Sequence, residues 1–144
     1  MKVKLHVVLA FIIIASACSS LKPAPHSTVD ARINNIVWGV VTFKGHVLNQ
    51  AAFPNGLPYI SFNMQESKIS GSDGCDNFMG VATYKGNTIT PGPIASTKMA
   101  CQGTDIQSDF YDALASTHLA WRLDGETLRL LVNDAEVMTL KERE

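Results

Sequence analysis

Two hydrophobic periods alternate along the chain. Residues 36–43 run together as β-branched and aromatic side chains around Trp38, which reads as a first strand with Trp38 in the core. Residues 59–64 alternate instead. Ile60, Phe62 and Met64 point one way, and Tyr59, Ser61 and Asn63 the other, as in a half-buried strand. Strands are expected again at 68–71, 78–84 and 88–90, the last two flanking the turn Lys85-Gly86-Asn87. Pro91 and Pro93 are expected to end regular pairing there. A loop is expected over 44–58. Further strands are expected at 119–123, 127–132 and 136–141, separated by Asp124-Gly125 and Asn133-Asp134.

Between these two groups the period changes. Ile106, Phe110 and Leu114 recur every four residues with Ala113 beside them, while Ser108, Asp109 and Asp112 take the other side. Thr104 and Gln107 have the spacing of a capping box, and Asp105 puts a negative charge in the first turn. One helix over about 105–117 is therefore expected, its apolar face on the sheet. Six to eight strands and one helix, joined mainly by tight turns, make an α+β domain that is mainly antiparallel β. Its sheet is expected to be strongly twisted, partly closed and plugged by the packed α-helix.

The start of the chain reads as an address. Lys2 and Lys4 precede an apolar run over residues 5–17, too short for an ordinary membrane span of roughly 20 residues. Ala15-Ser16-Ala17-Cys18 resembles a bacterial lipobox, so residues 1–17 read as a lipoprotein signal peptide and Cys18 as the lipidation site. Residues 18–33, with Pro23 and Pro25, read as a tether. The domain is expected over 34–144. Ser19 after the lipidated cysteine points to the outer membrane, with the domain facing the periplasm. The chain from Cys18 onward carries ten basic and thirteen acidic residues, a net charge of −3 with no basic patch, so nucleic acid is excluded as a partner.

Catalytic chemistry is hard to place. His26, His46 and His118 have no zinc or nucleophile spacing, and Ser70, Ser72 and Ser96 are in no nucleophile elbow. Asp73 and Asp76 flank Cys75, but two carboxylates fall short of the six to eight oxygens of a calcium site and read as turn formers. No metal, no cofactor and no enzymatic activity are expected.

The most specific stretch is 69–101, where five glycines interrupt strand-forming residues. Within it, Gly74-Cys75-Asp76-Asn77-Phe78-Met79-Gly80 resembles the G-C-N-x-F-x-G motif of the META domain family, with Asp76 where the family usually has Asn. Gly92-Pro93-Ile94-Ala95-Ser96-Thr97-Lys98-Met99-Ala100-Cys101 is similar to that family's G-P-[IL]-A-x-T-[RK]-M-x-C segment. The resemblance implies an incomplete β-barrel with a helix against it. It also implies an HslJ-like bacterial lipoprotein linked to heat shock and antibiotic tolerance, without an established reaction. Two roles follow: support of envelope integrity through contacts with an unidentified envelope protein, or a carrier or pilot-like module. The carrier would hold a hydrophobic ligand, an acyl chain or amphipathic peptide, between sheet and helix.

The chain has three cysteines, and lipid on Cys18 would leave Cys75 and Cys101 as a pair. A secretory signal places them where disulfides persist, so a Cys75–Cys101 bridge is expected. Two free buried thiols, or a weak metal site, are the alternatives.

Overall fold

A computed structural model describes residues 30–101 and 106–144. Nine strands and one helix follow in order: β1 (Val37–Phe43), β2 (His46–Val47), β3 (Tyr59–Asn63), β4 (Lys68–Ser72), β5 (Asn77–Lys85), β6 (Thr88–Ser96), α1 (Gln107–Leu114), β7 (Leu119–Asp124), β8 (Thr127–Val132) and β9 (Ala135–Glu142). Every strand pair is antiparallel.

The sheet closes, where the sequence suggested a partly closed one. β1 pairs with β3 through Val37–Gly39 on one edge and with β9 on the other, from Trp38↔Glu142 to Phe43↔Met138. The chain order β1-β3-β4-β5-β6-β7-β8-β9 thus returns to β1 as an eight-stranded barrel, with β2 as a short hairpin partner of β1. Closure leaves no bare edge on β1 or β9, which removes a template for aggregation. The seam is weakest between β6 and β7, which share only Thr88↔Ala120 and Ile89↔Leu119. Beyond Ile89 the two strands diverge, and α1, which connects them in the chain, lies at that end.

This divergence corrects the reading of the prolines. β6 runs straight through Pro91 and Pro93 to Ser96, pairing Ala82 with Pro91 and Gly80 with Ile94 across a bulge. Proline lacks a donor N–H, and it is tolerated because β6 has no strand partner on its other side beyond Ile89.

Inside the barrel, Ile60, Phe62, Ile69, Ile89, Leu119, Leu128, Leu130 and Leu140 are fully buried. The alternation expected for 59–64 holds, with Ile60 and Phe62 inward between half-buried Tyr59, Ser61 and Asn63. Trp38 is core, its indole Nε1 donating to the carbonyl of Ile33 at 3.2 Å. Ile33 is itself fully buried, so the packed domain includes a residue that the sequence reading left in the tether.

The expected loop over 44–58 is more ordered than that. Lys44 (φ 47°) and Gly45 (φ 80°) make a tight turn into β2, and a 3-10 turn at Gln50–Ala52 delivers buried Phe53. Helix α1 is shorter than expected, two turns rather than three. Ile106 occupies the N-cap position and makes no side-chain capping bond. Thr104 and Asp105 lie outside the described residues, as do Cys18 and the whole signal segment.

Candidate functional site

Both sequence motifs converge on the end of the barrel where β4 turns into β5. The turn is built by Asp73, which is fully buried. Its Oδ1 accepts from the backbone N–H of Cys75 at 2.8 Å and of Asp76 at 2.7 Å, and its own N–H donates to the Asp76 carbonyl at 3.1 Å. Ser72 adds a third such bond, accepting from the Gly74 N–H at 3.1 Å. The N–H groups of Gly74, Cys75 and Asp76 thus find side-chain oxygens where the strand ladder cannot serve them.

Gly74 has no substitute in this turn. Its φ of +94° is one that L side chains rarely adopt, and a Cβ there would lie 2.4 Å from Cδ1 of Phe53. The aromatic ring from the 44–58 segment thus closes over the turn.

Asp76 ties the first motif to the second. Its Oδ1 accepts from the Thr97 hydroxyl at 2.9 Å and from the Met99 N–H at 2.7 Å. Thr97 in turn accepts from the Asn77 N–H at 3.0 Å through Oγ1. Only acceptor capacity is used at Asp76 Oδ1, so an amide oxygen, as in the family's usual Asn, could take the same bonds. One strand further in, Gly80 faces Ile94, and a Cβ there would come within 2.8 Å of the Pro93 carbonyl oxygen. Phe78 points inward and stacks edge-on against Phe110 and Tyr111 of α1, at 5.9 and 6.0 Å between centroids.

The expected disulfide is present. Cys75 and Cys101 are bonded, with Cα atoms 5.8 Å apart, and Cys75 is buried. The bridge joins the β4–β5 turn to the chain just ahead of α1. Asn55 Nδ2 approaches Cys101 Sγ at 3.5 Å from the side of the 3-10 turn.

Helix α1 adds a polar contact that the sequence did not reveal. Tyr111 Oη and Asp73 Oδ2 are both buried with no hydrogen-bond partner, and the phenol lies within the influence of the Asp73 charge and the Ser96 hydroxyl. Burial first, and then the negative charge of Asp73, pushes the Tyr111 phenol up to about 12, with the Ser96 hydroxyl opposing. No spacing rule links residues 73, 96 and 111. The sequence places the face of Ile106, Phe110 and Leu114 on the sheet but gives Tyr111 no part in it.

Other candidate groups are dispersed. His46 sits exposed on β2, and His118 lies exposed after α1, bonded to Thr117. Gly92, Pro93 and Lys98 are exposed along β6 and beyond it. Met99 is exposed too, its backbone held by Asp76. Among the described residues no group of three or more His, Cys, Asp or Glu could hold a metal ion, and no helix is long and apolar enough to cross a membrane. The space between helix and sheet is occupied by Phe110, Ala113 and Leu114, with Phe110 packed 6.1 Å from Phe43.

A family model described as the META domain matches residues 31–144. The fold is also similar to an NMR structure of a protein from Burkholderia xenovorans, with a TM-score of 0.63 and 16% identity over 92% of this chain and 99% of that one. A second NMR structure gives a TM-score of 0.62 and 19% identity, covering 77% of this chain and 92% of its own. No curated protein matches.

Proposed function

The chain belongs to the META domain family, and on that premise we propose that it is a non-enzymatic lipoprotein of the bacterial envelope. Lipid on Cys18 anchors it to the outer membrane, and the barrel faces the periplasm. There it supports envelope integrity under stress or antibiotic challenge through contacts with other envelope proteins. The observation that carries this reading is the Cys75–Cys101 bond. A disulfide belongs to an oxidising compartment, and pairing those two thiols leaves Cys18, directly after the small residues Ala15-Ser16-Ala17, as the odd cysteine.

The absence of an own reaction is supported by how the motif residues are used. Asp73 Oδ1, Asp76 Oδ1 and Thr97 Oγ1 are taken up by backbone N–H groups and by one another. The runner-up role, a carrier holding an acyl chain or peptide between sheet and helix, would require Phe110 and Leu114 to leave the core. The filled interior favours contacts made by the outside of the barrel.

Mass spectrometry of protein extracted from native membranes tests the anchor. The expected N-terminus is Cys18 bearing lipid, and an intact leader or an unmodified Cys18 thiol would sink it. A broad hydrolase and transferase screen tests the non-enzymatic reading. Turnover that disappears on Asp73→Ala or His118→Ala would overturn it.

A further inference from the structure

The outer face of β4–β6 differs from an ordinary solvated sheet face. On β5, side chains of alternate residues point outward, and these include Met79 and Val81, 68% and 54% exposed. Ala95 lies opposite Met79, and Pro93 and Ile94 continue the apolar surface into a groove of about 630 Å³. Met99, 51% exposed, follows the end of β6.

Lysines surround this surface. Lys68 on β4 pairs in register with Val81. Lys85 is on the same face of β5, four residues beyond Val81, and Lys98 is next to Met99; both are exposed. Lys68 is paired with Glu66 at 2.6 Å, so Lys85 and Lys98 supply the positive charge of the rim, while Asp76 directs its Oδ1 to Thr97 and Met99. A wall with apolar side chains at its centre and cations at its rim therefore sits on a chain whose net charge is negative. The other exposed valines, Val37, Val41 and Val47, belong to β1 and β2.

Exposed aliphatic side chains framed by lysines suit a bilayer interface. The side chains enter the headgroup region while the ammonium groups meet anionic phosphates. We propose that the outer wall of β4–β6 is a membrane-contact surface that docks on anionic lipid headgroups. It does not depend on lipid at Cys18. It is a contact of the barrel itself, and it would lay the barrel on its β5 side against the bilayer.

The test uses unlipidated protein starting at Ser19, which keeps every described residue, so failure of the Cys18 reading and failure of this one are separable. The probes are vesicles of phosphatidylethanolamine with about 30% phosphatidylglycerol, and vesicles of phosphatidylcholine alone, compared by co-sedimentation. Binding to the anionic vesicles only is expected, and it should fade as salt shortens the Debye length from about 10 Å at 0.1 M toward about 3 Å at 1 M. Lys85→Gln and Lys98→Gln should each weaken it about fivefold, following the usual contribution of one basic residue near an anionic surface. The double change Met79→Ser, Val81→Ser should weaken it further with the circular dichroism spectrum unchanged. Arg122→Gln, on β7, should have no effect. Equal binding to both vesicles, an Arg122 effect as large as the lysine effects, or unaltered binding by the Met79/Val81 variant would each overturn the proposal. No sedimentation with either vesicle would also overturn it and leave the wall to a protein partner.

Discussion

The barrel's two sides are held in different ways. Between β7 and β9 the chain is a plain meander. β7 and β8 pair over six consecutive positions and β8 and β9 over six with one irregularity, joined at Gly125 (φ 60°) and at Asn133-Asp134 (φ 50° and 65°). Ladder bonds and buried Leu128, Leu130 and Leu140 suffice there. Its polar surface contacts include ion pairs of Arg129 with Asp124 and Glu136 and of Arg122 with Asp124, exposed pairs that solvent screens. Between β4 and α1 the strands are also paired, but the ladder stops at the β4–β5 turn and at the end of β6. The β4–β5 turn, the end of β6 and the approach to the helix are held by Asp73, Asp76, Thr97 and a disulfide. The family motifs coincide with the second side, because side-chain chemistry is specific only where the backbone cannot satisfy itself.

The comparison is broken most directly by removing the covalent tie. Cys75→Ser with Cys101→Ser reopens a loop with a sequence separation of 26. The chain-entropy argument sets the loss at about 3.5 kcal/mol. Urea unfolding should show a lower midpoint with a cooperative transition retained, since the core residues are untouched. Native hydrogen exchange should rise in α1 and the β4–β5 turn and stay level in β8. A uniform rise across both sides would erase the distinction.

Paired glycine substitutions sharpen it. Gly74→Ala forces a methyl into the Phe53 ring at a φ of +94°. Positive φ and overpacking together should cost about 3 kcal/mol. Gly125→Ala also meets a positive φ, but nothing lies within 4 Å of its Cβ. It should cost about 1 kcal/mol, from conformation alone. Similar losses at the two sites would mean that packing against Phe53 contributes little.

Asp76 separates charge from geometry. Asp76→Ala strips an acceptor from Thr97 and Met99 and should cost about 2 kcal/mol. Asp76→Asn should stay within about 0.5 kcal/mol of the parent, because the amide oxygen can accept both bonds. The matching change on the other side, Arg129→Gln, should cost less than Asp76→Ala, because its ion pairs are exposed and screened. An Asn variant as weak as the Ala variant would show that the negative charge itself is required.

These contrasts also explain what could be read from the sequence. The meander was legible almost residue by residue, since alternation and Asp124-Gly125 are local signals. The motif side was legible as a set of important residues but not as a mechanism. Glycine and aspartate announce a turn; which N–H groups Asp73 would accept depends on the coordinates. Pro91 and Pro93 misled, because whether a proline ends a strand depends on whether a neighbour needs its N–H, and β6 has no strand neighbour there. Barrel closure was missed for a similar reason. The β1–β9 pairing joins the ends of the domain, across the longest sequence separation in the fold. Phe53 and Tyr111 carry no periodic signal that would place them against Gly74 and Asp73.

The smallest effect probes the one buried contact of the motif side that is not regularly bonded. Tyr111 carries a phenol raised to about 12 by burial and by the charge of Asp73. The folded state therefore holds this proton more tightly than the unfolded chain, whose tyrosine titrates near its ordinary 10. Stability from this source is complete below pH about 10 and falls as pH rises toward about 12, because the unfolded state loses its proton first. Tyr111→Phe should change stability by less than about 0.5 kcal/mol at neutral pH, because the buried Oη gives up no hydrogen bond. The same variant should flatten the alkaline limb, so that it becomes the more stable of the two as pH rises past about 10 toward 12. Tyr84, also raised by burial, titrates in both and leaves a common slope. Urea midpoints at pH 7, 10 and 11.5 give the answer. If the gap between variant and parent is constant across that range, the phenol and the carboxylate do not sense one another, and α1 is held to the motif turn by aromatic packing and the disulfide alone.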